Sequence, residues 1–142
     1  MVAKLVAKLE ASLYGFPAAI VFEQIESYGM PVGREIFATV FWTGRFYQAA
    51  LGYVQDVVQL PRRAVKLHLC QSARAKDSNV RQALIDRFGG LEKARGKKAS
   101  KGPLYGLKAD EWSALAVAVT WWDLHRPVDV DIPWTVKAGP RW

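Results

Sequence analysis

The chain has 142 residues, the length of one ordinary domain, and 51% of them are hydrophobic, which is enough to build a core and excludes disorder as the main state. The single cysteine excludes a disulfide framework and a cysteine-rich zinc site, and the apolar runs are too short to span a bilayer. The formal net charge of +7 is unevenly distributed, because residues 60–108 hold 13 basic and 3 acidic side chains, whereas the remainder holds 7 basic and 10 acidic ones. This basic central segment favours a polyanionic partner.

The first predicted elements are an amphipathic helix and a buried strand. Apolar residues at positions 2, 5, 6, 9 and 13 predict a helix over Val2–Leu13, which Gly15 and Pro17 end. The unbroken apolar run Ala18–Phe22 is typical of a strand that is buried on both faces, as in a parallel sheet.

A loop over residues 27–33 leads into a long predicted helix. From Arg34, apolar residues at positions 36, 37, 40, 41, 47, 51, 54 and 58 predict that this helix continues to about Gln59. Gly44 lies inside it, where glycine costs roughly 1 kcal/mol relative to alanine. It therefore indicates either a close approach of a backbone or ligand, or simple helix packing.

Pro61 ends the long helix, and four further segments follow. Their predicted identities are a strand over Ala64–Cys70, a helix from the capping residues at Lys76 to Phe88, a mobile basic loop over residues 91–107, and a last helix that Asp110 opens and Pro127 ends. A proline-containing tail over residues 128–142 completes the chain.

Strands that alternate with helices predict an α/β fold, here helix-rich with a small parallel sheet. Two strands are too few for a stable sheet that is covered on both faces, so the chain looks like most of an α/β domain that lacks something. The sequence shows no repeat and no second domain, and we expect one domain over residues 1–142 with its core at about residues 18–124.

Four carboxylates lie where functional sites commonly form. Glu23 follows the predicted buried strand, and sites in α/β folds form outside the carboxyl ends of strands, so it is either a divalent-metal ligand or a solvated acid. Glu26 is either a second ligand or a loop charge. Asp110 is either the N-cap of the last helix or a functional residue, and Glu111 is a first-turn acid that the helix dipole favours.

The remaining notable residues favour structural roles. His68 and His125 have neither metal-ligand spacing nor a triad pattern around them. Cys70 is typical of a small buried apolar group, and the pair Trp121 and Trp122 is typical of helix packing.

Six segments carry a family resemblance: Ile20–Ile25, Phe41–Arg45, Ala64–Leu69, Ala75–Arg81, Gly102–Gly106 and Asp110–Thr120. Together they resemble the RuvC-like Holliday junction resolvases of the RNase H-like superfamily, especially the short phage-type members. The first segment resembles the family's fourth strand, with its catalytic glutamate followed by glutamine, and the third resembles the fifth strand. The last resembles the final helix, with its acidic start.

Two departures from the family pattern affect the expected site. The family begins with a strand that carries an aspartate, followed by two antiparallel strands, and none of these precedes Val2, so the resemblance implies an N-terminally truncated RuvC-type fold without its central strand. The family's last helix often has a further acid three residues after the first, and here that position is Ser113, for which Glu111 or Asp123 could compensate in part.

The resemblance implies a metal-dependent, structure-selective endodeoxyribonuclease that cleaves Holliday junctions or other branched DNA by phosphodiester hydrolysis. It implies that Glu23 and Asp110 are catalytic and bind Mg²⁺ or Mn²⁺, with Glu26 and Glu111 as further candidate ligands. The candidate DNA-binding residues are Arg45, Arg74, Lys76, Arg81, Lys93, Arg95, Lys97, Lys98 and Lys101, of which the last five form either an arm on the DNA or a solvated loop.

The resemblance implies two partners, branched DNA and a second copy of the chain, and no association with a membrane. It implies a location in the cytoplasm of a bacterium or of a phage-infected host cell. The long helix from Arg34 is either the dimer face or a helix that packs only on the sheet. Two alternatives stay open: a non-catalytic DNA-binding remnant that is inactive because the first aspartate is absent, and a fragment whose missing strands come from a partner chain.

Overall fold

The computed structural model describes residues 19–27, 29–54 and 56–125. These form four strands and five helices, and the chain divides into two compact units at Arg62 and Arg63. The α/β class is confirmed, with helices predominating over a small parallel sheet. The single domain over residues 1–142 stays a prediction, and both the helix over Val2–Leu13 and the tail over residues 128–142 lie outside the described residues.

The first unit contains a parallel strand pair and one long helix. Strand β1 (Ala19–Gln24) pairs with strand β2 (Asp56–Pro61), and helix α1 (Arg34–Ala50) connects them and contacts β1. The register places Glu23 beside Leu60, so the carboxyl ends of both strands meet at the same end of the pair. The strand predicted at Ala18–Phe22 is thereby confirmed, but its predicted burial on both faces is wrong, because all six residues of β1 are only half-buried.

Helix α1 is shorter than predicted. It ends at Ala50, so the prediction that it continues to about Gln59 is wrong. A turn over residues 51–53 follows Ala50, and the segment that contains Val57 and Val58 becomes β2. These two β-branched residues pair with Ile20 and Val21. Pairing along β1 therefore decides the conformation of a segment whose apolar spacing also suits a helix.

The second unit consists of four helices and a small hairpin. Its helices are α2 (Arg62–Cys70), which begins at the unit boundary, α3 (Asp77–Arg87), α4 (Gly90–Ala94) and α5 (Ala109–His125). The hairpin pairs strand β3 (Gly96–Lys97) with strand β4 (Ser100–Lys101) in antiparallel fashion. The buried side chains of this unit come mainly from α3 and α5, with Leu84 and Thr120 completely enclosed.

Two predictions fail in this unit. The strand predicted over Ala64–Cys70, and with it the fifth strand of the resemblance at Ala64–Leu69, is wrong, because the segment is helix α2. Residues 91–107 are not a loop throughout, because they hold most of α4 and the whole β3–β4 hairpin. Helices were correctly predicted before Phe88 and after Asp110.

Within the described residues, no helix is long and apolar enough to cross a membrane.

Candidate functional site

Glu23 lies near the carboxyl end of β1, where the sequence placed it. Arg62, the first residue of α2, directly follows β2 and reaches across to the glutamate. Its Nη1 donates a hydrogen bond to Glu23 Oε1 at 2.8 Å. The parallel register creates this contact, because it brings Glu23, near the carboxyl end of β1, to the same end of the pair as the residue that follows β2. Glu26 is exposed in the segment after β1.

The ion pair between Glu23 and Arg62 is only partly shielded from water. The glutamate side chain keeps 32% of its surface exposed, and pairs of this kind contribute at most about 1 kcal/mol. The Arg62 guanidinium therefore balances the charge of the Glu23 carboxylate but holds the glutamate side chain only weakly. A divalent cation that binds Glu23 must share the carboxylate with Arg62 or displace the guanidinium.

The start of α5 is held by Glu111 and not by Asp110. Glu111 Oε2 accepts a hydrogen bond from the backbone N–H of Lys108 at 2.6 Å, and the backbone N–H of Trp112 donates to the Lys108 carbonyl at 3.1 Å. Lys108 thus occupies the capping position, so the interpretation of Asp110 as the N-cap is wrong. Asp110 lies within the first turn and is exposed.

Asp123 cannot compensate for Ser113. Asp110 and Asp123, which both lie on α5, are 13 residues apart, which is about 20 Å along a helix. Asp123 instead binds two basic side chains. Its Oδ1 accepts a hydrogen bond from Arg87 Nη2 at 2.5 Å, and its Oδ2 contacts Arg87 Nη1 at 2.7 Å and His68 Nε2 at 2.8 Å.

The contacts of Asp123 join three helices of the second unit, since His68 lies on α2 and Arg87 on α3. Burial alone would raise the pKa of the Asp123 carboxyl, but the hydrogen bonds and positive charges of Arg87 and His68 outweigh burial and lower it. Sequence reasoning missed this cluster, because no local motif links residues that are 55 and 36 positions apart. The structural role expected for His68 agrees with its contact to Asp123.

Three candidate DNA-binding residues pack over aromatic rings. In the first unit, the Arg45 guanidinium carbon lies 5.0 Å from the centroid of the Trp42 ring. In the second unit, Arg81 lies 4.9 Å from the Trp112 ring, and Lys101 Nζ lies 5.3 Å from the Tyr105 ring. Such contacts restrict long side chains and leave their charge available to an anion.

The other candidate DNA-binding residues belong to the second unit. Arg74 lies in the turn before α3, and the backbone N–H of Lys76 donates to Asn79 Oδ1 at the start of that helix. Lys93 is on α4, and Arg95, Lys97 and Lys98 follow it into the hairpin. The structure thus brings eight of the nine predicted DNA-binding residues into one compact unit and places Arg45 in the other.

Carboxylate oxygens are the donors that Mg²⁺ and Mn²⁺ prefer. Glu23 belongs to the first unit, and both Asp110 and Glu111 belong to the second. Over residues 19–27, 29–54 and 56–125, no group of three or more His, Cys, Asp or Glu side chains comes together. The donor type therefore fits a hard divalent cation, whereas the described residues form no closed set of ligands.

No protein-family model, curated protein or solved structure matches this chain.

Proposed function

We propose that the chain is a metal-dependent, structure-selective endodeoxyribonuclease for Holliday junctions or other branched DNA, with a RuvC-type, RNase H-like fold. The observation that carries the proposal is the place of Glu23, at the carboxyl end of a parallel strand pair. Sites in α/β folds form there because loops and helix starts converge at that end. The basic second unit adds a surface for a polyanion, and the five segments other than Ala64–Leu69 resemble the resolvase family.

In this proposal, Glu23 of the first unit and Asp110 of the second unit are each catalytic metal-ligand candidates, and Glu26 and Glu111 are further candidate ligands. A bound Mg²⁺ or Mn²⁺ would activate water and stabilise the leaving oxygen of the phosphodiester. Arg62 balances the charge of Glu23 when no cation is bound. The basic side chains of the second unit position the DNA backbone without reading its sequence.

A homodimer is part of the proposal, because a branched DNA with two-fold symmetry suits a two-fold enzyme. Helix α1 supports it by exposing large apolar side chains, with Phe37 65% and Phe41 60% exposed. The variant Phe37→Glu should convert a dimer into a monomer in light scattering coupled to size exclusion. An exposed charge of the same kind at Gln48, which is also on α1, is the control.

A non-catalytic DNA-binding remnant is the second candidate, and the ion pair of Glu23 with Arg62 favours it. A carboxylate whose charge is already balanced at 2.8 Å needs no metal for stability. Under this alternative, the chain binds branched DNA through its basic residues and leaves the phosphodiester intact.

The deciding experiment is nicking of a labelled four-way junction by this chain in Mg²⁺. We expect nicking by the chain and loss of nicking in Glu23→Gln and Asp110→Asn. The matched control is Glu92→Gln, which removes an exposed carboxylate from α4.

Each other outcome has a defined meaning. Junction binding without nicking supports the remnant. Nicking that Glu23→Gln leaves unchanged refutes the catalytic role of Glu23. Equal affinity for a junction and a linear duplex refutes both candidates as structure-selective proteins.

A further inference from the structure

The segment over residues 93–102, here called the basic hairpin, is a closed structure. Gly96 pairs with Lys101 and Lys97 with Ser100, so the strands are joined by a two-residue turn. Its base is fixed by two backbone hydrogen bonds, from Gly102 N–H to the Arg95 carbonyl at 2.9 Å and from Leu104 N–H to the Ala94 carbonyl at 2.7 Å. Ala94 and Leu104 are buried and anchor this base in the second unit.

Two glycines make this closure sterically feasible. Gly96 has a φ of +67°, a conformation that side-chain-bearing residues rarely adopt, and a Cβ there would overlap the Ser100 carbonyl oxygen. A Cβ on Gly102 would overlap the carbonyl oxygens of Lys93 and Ala94. Only glycine therefore fits without strain at these two positions of the closed backbone.

The basic hairpin concentrates positive charge that the described part of the chain does not neutralise. Its cations are Lys93, Arg95, Lys97, Lys98 and Lys101, and residues 93–108 include no acid. Over the described ranges, no carboxylate lies within ion-pair distance of any of these five side chains. Cations that are held close together repel one another, and an external polyanion relieves that repulsion.

We propose that the basic hairpin is a preformed, metal-independent clamp for the phosphodiester backbone of a nucleic acid. The inference deepens the proposed function, on which it rests for the identity of the partner, by assigning affinity and salt dependence to one rigid element. Segments that bind membrane surfaces combine basic residues with large apolar ones, whereas residues 93–102 of the basic hairpin include no large apolar side chain. Phosphate contacts alone read no sequence.

The test measures binding of a fluorescent four-way junction by anisotropy, in EDTA, over a range of KCl concentrations. The double variant Lys97→Gln/Lys98→Gln removes two charges from the hairpin. We expect the slope of log K against log salt to become shallower by about 1.8, and affinity at 0.1 M salt to fall at least about tenfold. The control Arg34→Gln/Arg63→Gln removes two exposed charges elsewhere and should keep the slope.

A second pair of variants tests the preformed shape without changing charge. Gly102→Ala should weaken junction binding severalfold, whereas Gly33→Ala should not, because a Cβ at Gly33 meets no described atom within 4 Å. If Gly102→Ala fails to fold by circular dichroism, the lysine variants alone decide the matter.

Three results would overturn the clamp. One is an unchanged salt slope in Lys97→Gln/Lys98→Gln, and another is an equal loss in the arginine control, which would indicate net charge only. The third is retained DNA affinity together with lost binding to vesicles that contain phosphatidylserine, which would indicate a membrane surface. Because EDTA removes divalent metal, these outcomes are independent of nicking, and a failed nicking assay with a reduced slope refutes only the nuclease.

Discussion

Substituting Asp123 by asparagine should destabilise the second unit, because it removes a carboxylate that binds both Arg87 and His68. Removing one partner of a fully buried ion pair costs about 3–5 kcal/mol. The Arg87 and His68 side chains keep 28% and 30% of their surface exposed, so water replaces part of the lost interaction. We therefore expect the free energy of unfolding to fall by about 2–3 kcal/mol at pH 7.

The pH dependence of this effect follows from the lowered pKa of Asp123. A carboxyl whose pKa is lower in the folded state than its ordinary 3.8 stabilises the fold above that value. The stabilisation is lost as the pH falls through the folded pKa, where the carboxylate takes up a proton. The difference between wild type and Asp123→Asn should thus be full at pH 7 and should shrink below about pH 4.

Urea unfolding, followed by circular dichroism at several pH values, measures both effects. Asp86→Asn is the matched control, because Asp86 is exposed on α3 and, within the described residues, its carboxylate accepts a hydrogen bond only from Gln82, one turn away on the same helix. It should change the free energy of unfolding by less than about 0.5 kcal/mol. The reasoning is refuted if Asp123→Asn unfolds like wild type at pH 7, or if its deficit is the same at pH 3.

Three further predictions concern packing and reactivity. Leu84→Ala should lower the free energy of unfolding in urea by about 2–5 kcal/mol, because Leu84 is fully buried. Leu91→Ala, at a position that is 60% exposed, should lower it by less than about 0.5 kcal/mol. Equal losses in the two variants would contradict the burial pattern. Gly44→Ala should raise the unfolding free energy by up to about 1 kcal/mol, since a Cβ meets no described atom within 4 Å, and a loss would point to an approach that the described residues do not show. Burial raises the pKa of the Cys70 thiol although Lys66 opposes it, so a thiol reagent at pH 8 should modify Cys70 more slowly than free cysteine, and an equal rate would argue against this shielding.

The sequence predicted secondary structure correctly where the local pattern is compatible with only one type of element. The unbroken apolar run before Glu23 predicted β1, and the acidic start and apolar run after Asp110 predicted α5. It failed at α2, where alternating residues suggested a strand. In the structure, Val65 is 4% exposed and Leu67 is 54% exposed, so alternate residues do not share a face as they would in a strand.

The candidate site shows the same division between local and long-range information. The place of Glu23 at the carboxyl end of a strand could be predicted, because it depends on residues next to it. Its contact with Arg62 depends on the register of a second strand, which the sequence had not located. The expected mobility of the basic loop overlooked Gly96 and Gly102, whose effect becomes clear only when the neighbouring carbonyls are placed.

The pairing of β1 with β2 also constrains any larger sheet. Over the described ranges, each of these strands has a hydrogen-bonded neighbour on one side, which leaves two lateral edges where backbone groups can accept another strand. A strand that joins along β1 would enclose Glu23 between two neighbours, in the interior of the enlarged sheet. A strand that joins along β2 would leave Glu23 on an outermost strand, so the side of addition decides how crowded the glutamate becomes.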